Sequence, residues 1–298
     1  MFTIGLIDYL NTQPFQHSLA ARLAGIDVDF VRGVPTELNR ALLAGEIDLA
    51  PISSIEAARH AGEVLVLPGL GIASRGAVKT VLLFSWRADM RELADEPLAL
   101  TDQSATSSAL LQWLLRDRYG VAAQWRTRPQ DLAAMMKECS GALVIGDTAL
   151  VEGERRSRLR NSVGARARPF VFDLGEEWFR QTGLPFVFAL WAVRREAAAE
   201  LRRLGVSEAL AASTAEGLAA LDAIAGAYAP RLGLSATACA SYLRALRFYL
   251  DERDWQGLTR FLDGVLGVQR EALRLLGADE DGAARDGASG AAERERCV

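Results

Sequence analysis

The chain has 298 residues, 50% of them hydrophobic, enough for one large core or two smaller ones, and a formal net charge of -4 that excludes nucleic acid as the main partner. Cys139, Cys239 and Cys297 are few and far apart, so no disulfide framework is expected and a reducing compartment is. No run of about 18 apolar residues occurs and no basic segment leads into a long apolar one, so no membrane partner is expected and the protein reads as cytoplasmic.

Residues 3–7 read as a short apolar strand, and Thr12 followed by Pro14 as a helix start. Asp8, Tyr9, Asn11 and Thr12 form a tight polar corner between them. Strands follow at 28–31, 49–52, 64–67 and 78–85, separated by helices near 15–24, 36–43 and 54–61. This βαβ alternation predicts a mainly parallel sheet with helices on both faces. A second block begins after Trp86, with strands at 98–100, 123–126, 142–145 and 170–172 and helices near 107–118, 130–137 and 176–182. One more strand, 186–193, precedes segments near 206–228, 236–250 and 255–276 that read as helical throughout. These last helices have no sheet of their own, so they are expected to cover the first block's sheet.

The chain therefore reads as α/β with two lobes, crossing between them near Trp86 and returning near Trp191. The first domain takes 1–86 plus 190–277 and the second takes 87–189. Residues 278–298, almost all Gly, Ala and charge, read as a disordered tail. Two lobes joined by two crossings enclose a hinged ligand cleft, the layout of periplasmic-type binding proteins.

Open α/β sheets bind small ligands at the carboxyl ends of their strands. The corner at Tyr9, Asn11 and Thr12 lies at such an end, although a capped turn has the same composition. Ser53 and Ser54 end another strand. Ser53 and Glu56 have capping-box spacing, while two hydroxyls at a helix start also suit a carboxylate, and both readings stay open. In the second block Thr101, Ser104, Thr106 and Ser107 crowd one helix start; a single residue suffices for a cap, so the surplus points to anion binding. One anion cradle per lobe predicts a small ligand with two negative groups.

Thr80 opens a strand near the first crossing and faces either cleft or core. Asp147 either caps the next helix or faces the ligand. Phe186 either walls an apolar pocket or packs in the core. Arg75 and Lys79 are the basic residues nearest the expected cleft. His17 and His60 lack partners at metal-ligand spacing, and Gly69-Leu-Gly-Ile-Ala-Ser74 lacks the third glycine of a dinucleotide fingerprint, so neither metal nor cofactor is expected.

An ordered set of motifs runs through residues 3–270: Tyr9-Leu-Asn-Thr12 with Pro14-Phe15, Pro35-x-x-Leu38-Asn39, Gly45-x-Ile-Asp48-x-Ala50-x-Ile-Ser-Ser54, Thr80-Val-Leu-Leu-Phe-Ser85, Ser104-x-Thr-Ser107, Gly146-Asp147-x-Ala149-Leu150 and Gly183-Leu-Pro-Phe186. This set resembles the menaquinone-biosynthetic chorismate dehydratases, cytoplasmic relatives of type II periplasmic binding proteins. The resemblance implies conversion of chorismate to 3-[(1-carboxyvinyl)oxy]benzoate and water in the futalosine route. Chorismate carries two carboxylates, one for each cradle. The reaction removes a ring proton at C3 and the hydroxyl at C4, and aromatisation drives it.

The resemblance places the catalytic asparagine at Asn11. Tyr9, Thr12, Ser53, Ser54, Thr80, Ser104, Thr106, Ser107, Asp147 and Phe186 are then the candidate substrate-binding residues. Thr80 stands where the family often has serine, keeping the hydroxyl and adding a methyl. The base is either Asp147 or another cleft carboxylate, helped by burial, or the substrate's own enolpyruvyl carboxylate, the reading favoured here. Two alternatives remain. One is the sister enzyme that cyclises dehypoxanthine futalosine, which is associated with a Pro-Asn-Asp-Thr corner. The other is a non-catalytic binding protein for a small acidic solute. Homodimer formation is left open.

Overall fold

A computed structural model of the chain describes residues 1–159, 168–268 and 273–277; the expected tail at 278–298 lies outside them. The first sheet is built on continuous apolar runs. In Phe2–Ile7 (β1) nearly every side chain is buried, the pattern of a parallel strand covered on both faces. A 3-10 turn at Leu10–Thr12 leads to two four-residue helices, Gln13–Gln16 (α1) and Leu19–Arg22 (α2). The single helix expected over 15–24 is broken between them, where the Ser18 N–H donates to Ser213 Oγ at 3.0 Å. Tertiary contact overrides propensity there.

Val28–Gly33 (β2) pairs in parallel with β1 at the sheet edge. Pro35–Leu43 (α3) then leads to Leu49–Ser53 (β3), which is wholly buried, and Ser54–Arg59 (α4) follows at once. Val64–Ser74 (β4) is an eleven-residue strand that absorbs the Gly69–Ser74 run.

The second sheet begins with Val81–Ser85 (β5) and Pro97–Thr101 (β6). Ala105–Trp113 (α5), Gln124–Arg128 (β7) and Leu132–Glu138 (α6) come next. Gly141–Ile145 (β8), Gly146–Leu159 (α7), Phe170–Asp173 (β9) and Leu174–Thr182 (α8) complete it. Phe186–Arg194 (β10) returns to the first sheet, followed by Ala198–Arg203 (α9), Val206–Ala219 (α10), Leu221–Leu232 (α11) and Ala236–Ala245 (α12). Leu246–Tyr249 (β11) and Glu252–Leu266 (α13) close the order.

The sheet orders are β11-β4-β10-β3-β1-β2 and β7-β6-β8-β5-β9. Read from opposite ends, β4-β10-β3-β1-β2 and β9-β5-β8-β6-β7 match strand for strand. In each sheet one interior strand runs against both its neighbours: β10 is antiparallel to β3 and β4, and β5 is antiparallel to β8 and β9. Both are the first strands after a crossing.

These pairings correct two expectations. The strand at 78–85, read as part of the first block, contains β5 and belongs to the second sheet, so the chain crosses before it. The return expected at 190 falls inside β10, all of which lies in the first sheet. A third correction concerns the C-terminal third, which is not wholly helical. Leu246, Arg247, Phe248 and Tyr249 alternate between core and solvent and form β11 beside β4. No helix of the described residues is long and apolar enough to cross a membrane.

Behind the cleft an aromatic cluster joins the two sheets. Trp113 of α5 lies 5.0 Å from Trp178 of α8, which meets Phe186 of β10 at 5.2 Å. Phe261 of α13 caps Phe186 at 4.8 Å. Helix α13 approaches the return crossing so closely that a Cβ at Gly257 would sit 2.0 Å from the Pro185 carbonyl oxygen. Phe186 is 1% exposed, packed between this cluster and the Phe188 ring at 4.7 Å. Phe186→Ala should therefore cost about 3–5 kcal/mol of stability, read as a lowered denaturant midpoint.

Candidate active site

The carboxyl ends of β1 and β3 meet those of β6 and β8 around a narrow cavity of about 70 Å³. Tyr9, Asn11, Thr12, Ser53, Thr80, Ser104 and Ser107 line it. Ile7, Pro51, Ile72, Val78, Ile145 and Phe188 supply apolar wall. Seven of the eleven candidate residues are thus brought together.

Their hydroxyls are not equivalent. The Thr12 hydroxyl donates within its own turn, to the carbonyls of Ile7 at 2.6 Å and Tyr9 at 2.8 Å, so it shapes the corner. Gln16 Nε2 adds a bond to the Ile7 carbonyl at 2.8 Å. Held in this turn, Asn11 presents a buried Oδ1 with no hydrogen-bond partner. An unpartnered buried polar atom costs about 1–3 kcal/mol, and a ligand donor would remove that cost.

Asn39 holds Ser53 from behind. Its Oδ1 accepts the Ser53 N–H at 3.1 Å and its Nδ2 donates to Ser53 Oγ at 3.2 Å, leaving the hydroxyl proton for the cavity. Ser104 caps α5 by accepting the Ser107 N–H at 3.1 Å, and its own hydroxyl donates to Ser107 Oγ at 2.9 Å. The Ser107 proton remains for a ligand, at a helix end that favours negative charge.

Thr80 Oγ1 lies 3.1 Å from the hydroxyl of Tyr242, a buried residue of α12. Burial pushes the Tyr242 phenol far above the usual tyrosine range, so it stays neutral. Tyr9 is raised for the same reason and donates to Gln103 Oε1 at 2.8 Å. Its ring also fixes Gly146, whose φ is +63° and where a Cβ would sit 2.7 Å from the Tyr9 ring.

Four candidates lie off the wall. The Ser54 hydroxyl donates to the Val187 carbonyl at 2.8 Å, and Thr106 Oγ1 accepts the Ile55 N–H at 3.2 Å, so both are engaged where α4 abuts α5. The capping box expected at Ser53 and Glu56 does not form: Ser53 makes no side-chain cap, and Glu56 pairs with Arg59 at 2.7 Å. Phe186 is core, and the β-bulge between Val187 and Ala189 aims Phe188 into the cavity instead.

Asp147 accepts the Leu10 N–H at 3.0 Å and meets the Tyr228 hydroxyl at 2.9 Å, occupying both carboxyl oxygens. Burial raises its pKa above the ordinary carboxylate range. Arg75 sits over the Phe179 ring at 5.8 Å, and the Lys79 N–H donates to Asp173 at 2.6 Å. Among the described residues, no Asp, Glu, His, Lys or Arg lines the cavity. The described residues hold no group of three or more His, Cys, Asp or Glu suited to a metal ion.

Sequence reasoning missed Asn39, Phe188, Tyr228 and Tyr242. Asn39 stood in the Pro35–Asn39 motif without a role, and nothing local marks the other three.

Two serines one helical turn apart should behave differently. Ser104→Ala should lower stability by about 1 kcal/mol through loss of the α5 cap. Ser107→Ala should leave the thermal midpoint nearly unchanged and weaken binding of a carboxylate ligand. Thermal unfolding and calorimetric titration separate the two.

A family model described as menaquinone biosynthesis matches residues 2–265. The chain is 36% identical over 269 residues to the chorismate dehydratase of Thermus thermophilus, covering 89% of this chain and 95% of that protein. It is 29% identical over 189 residues to the chorismate dehydratase of Campylobacter jejuni, covering 62% and 64%. Among solved structures, a protein from Archaeoglobus fulgidus aligns with a TM-score of 0.66 at 16% identity, over 88% of this chain and 95% of that one. An alkanesulfonate-binding protein from Xanthomonas axonopodis pv. citri bound to MOPS aligns at 0.65 and 14%, over 93% and 96%. These structural likenesses place the fold among two-lobed, periplasmic-binding-protein-like architectures.

Proposed function

This chain belongs to the chorismate dehydratase family of menaquinone biosynthesis, and we propose that its cleft eliminates water from chorismate to give 3-[(1-carboxyvinyl)oxy]benzoate in the futalosine route. The observation that carries the mechanism is the composition of the wall: hydroxyls, one amide and apolar side chains, with no charged group. Such a site positions a substrate and stabilises charge but offers no proton acceptor of its own. Tyr9 and Tyr242 are neutral, and Asp147 has both oxygens engaged away from the wall.

The base is then the substrate's enolpyruvyl carboxylate. It takes the C3 proton, the electron pair of that C–H bond forms the C3–C4 double bond that makes the ring aromatic, and the C4 hydroxyl leaves as water on receiving that proton from the carboxylic acid just formed. Ser53 on one side and Ser107 on the other hold one carboxylate each. Asn11 hydrogen-bonds either the departing hydroxyl, whose proton its unpartnered Oδ1 accepts, or, through its Nδ2 donor, the carboxylate acting as base. Thr80, backed by Tyr242, closes the floor of the site. A cytoplasmic location is part of this proposal and agrees with the free, buried thiols of Cys139 and Cys239.

Incubating purified protein with chorismate should yield a product lighter by one water with new aromatic absorbance. Chorismate recovered unchanged where binding is demonstrated would leave a binding protein and sink the dehydratase reading. Asn11→Asp should keep the fold, place a like charge beside a dianion, and lower kcat/KM by about 100-fold or more, equivalent to about 2.7 kcal/mol. Turnover of Asn11→Asp at the parent rate would remove Asn11 from the mechanism.

A further inference from the structure

We propose that Asp147 is a positioning residue that latches the Asn11 turn across the seam between the two sheets, and that it does not accept the substrate proton. The proposal rests on the dehydratase reading for its kinetic part only. Asp147 opens α7 at the carboxyl end of β8 in the second sheet, while the turn it grips belongs to the first. Its Oδ1 accepts the N–H of Leu10, the residue next to Asn11, at 3.0 Å. Its Oδ2 meets the Tyr228 hydroxyl at 2.9 Å, and that hydroxyl lies 2.8 Å from the Asp8 carbonyl oxygen.

The turn is therefore held at Asp8 and at Leu10, on both sides of Tyr9. Arg231, one turn beyond Tyr228 on α11, pairs with the Asp8 carboxylate at 2.8 Å and 3.2 Å and lies 4.5 Å over the Tyr228 ring. Three elements distant in sequence converge on one corner. The cavity wall includes Gly146 but not Asp147, so the carboxyl acts from behind the site.

The bond pattern gives a direct discriminator. One phenolic proton faces two acceptors, the Asp8 carbonyl and Asp147. An asparagine at 147 satisfies every partner: its Oδ1 accepts the Leu10 N–H, and its Nδ2 donates to the Tyr228 oxygen while that hydroxyl donates to Asp8. Asparagine thus reproduces the latch, whereas it cannot act as a proton acceptor. Displacing a reacting group by about 1 Å costs about 100-fold in rate, which sets the scale of the effect.

The experiment compares the parent with Asp147→Ala, Asp147→Asn and Tyr228→Phe by steady-state turnover of chorismate and by hydrogen exchange at the Leu10 amide. Asp147→Ala should lower kcat about 10- to 100-fold with KM within about threefold, and should speed Leu10 exchange. Asp147→Asn should restore most of both, and Tyr228→Phe should fall between, so that kcat tracks Leu10 protection across the series. Loss of kcat with Leu10 still protected, in Asp147→Asn above all, overturns the latch in favour of a proton-transfer role. Loss of protection with kcat intact overturns it as well. If Asp147→Ala fails to fold, the other two variants carry the same comparison. If the parent does not consume chorismate, the functional reading fails, and Leu10 exchange alone still decides whether Asp147 holds the turn.

Discussion

The cleft follows from one topological constraint: each sheet is completed by a strand that enters it from the other. Because β5 and β10 follow the two crossings directly and run antiparallel to their neighbours, the parallel strands β1, β3, β6 and β8 all end toward the same seam. Carboxyl ends of parallel strands deliver turns and helix starts, with unpaired N–H groups and small polar residues. Two such rims facing each other make a pocket lined from both sides by one chain. The aromatic cluster around Trp178 and Phe186 closes the opposite side of the seam, so the site sits in front of a packed joint.

Within that frame the chemistry is set by what the wall lacks. A dianion in a cavity without cationic side chains must be held by hydroxyl, amide and backbone dipoles, and those act more strongly where water is excluded. Each usable hydroxyl has a neighbour that fixes its direction: Asn39 behind Ser53, Ser104 beside Ser107, Tyr242 beside Thr80. Charged groups stand one layer back, where Arg231, Asp8 and Asp147 hold the turn rather than touch its cavity face.

The sequence made the rims legible because their signal is local. Apolar runs ending in Asn11, Ser53, Ser104 and Ser107 mark strand-to-helix turns wherever they occur. The two-lobed plan was legible from the unpartnered C-terminal helices, yet the crossings were displaced because β5 and β10 are apolar runs that fit either sheet equally well. Tyr228 and Tyr242 lay out of reach: their partners are more than 80 residues away, and spacing along a helix carries no information about such contacts. Phe186 and Phe188 share strand alternation, and only the bulge at Phe188 separates core from cavity. Leu246–Tyr249 continues a helical run with no Gly or Pro between, so its alternation over four residues was masked.

The junction of α4 with α5, where the Ile55 N–H meets Thr106 Oγ1, has a consequence for how the lobes hold together. Both helices start at this seam, and the Ile55 N–H, one of the orphan donors of the α4 amino terminus, is satisfied by a side chain of the second lobe. Parting the lobes would strip the α4 start of this partner, so a helix cap here doubles as a tie between the two halves of the molecule.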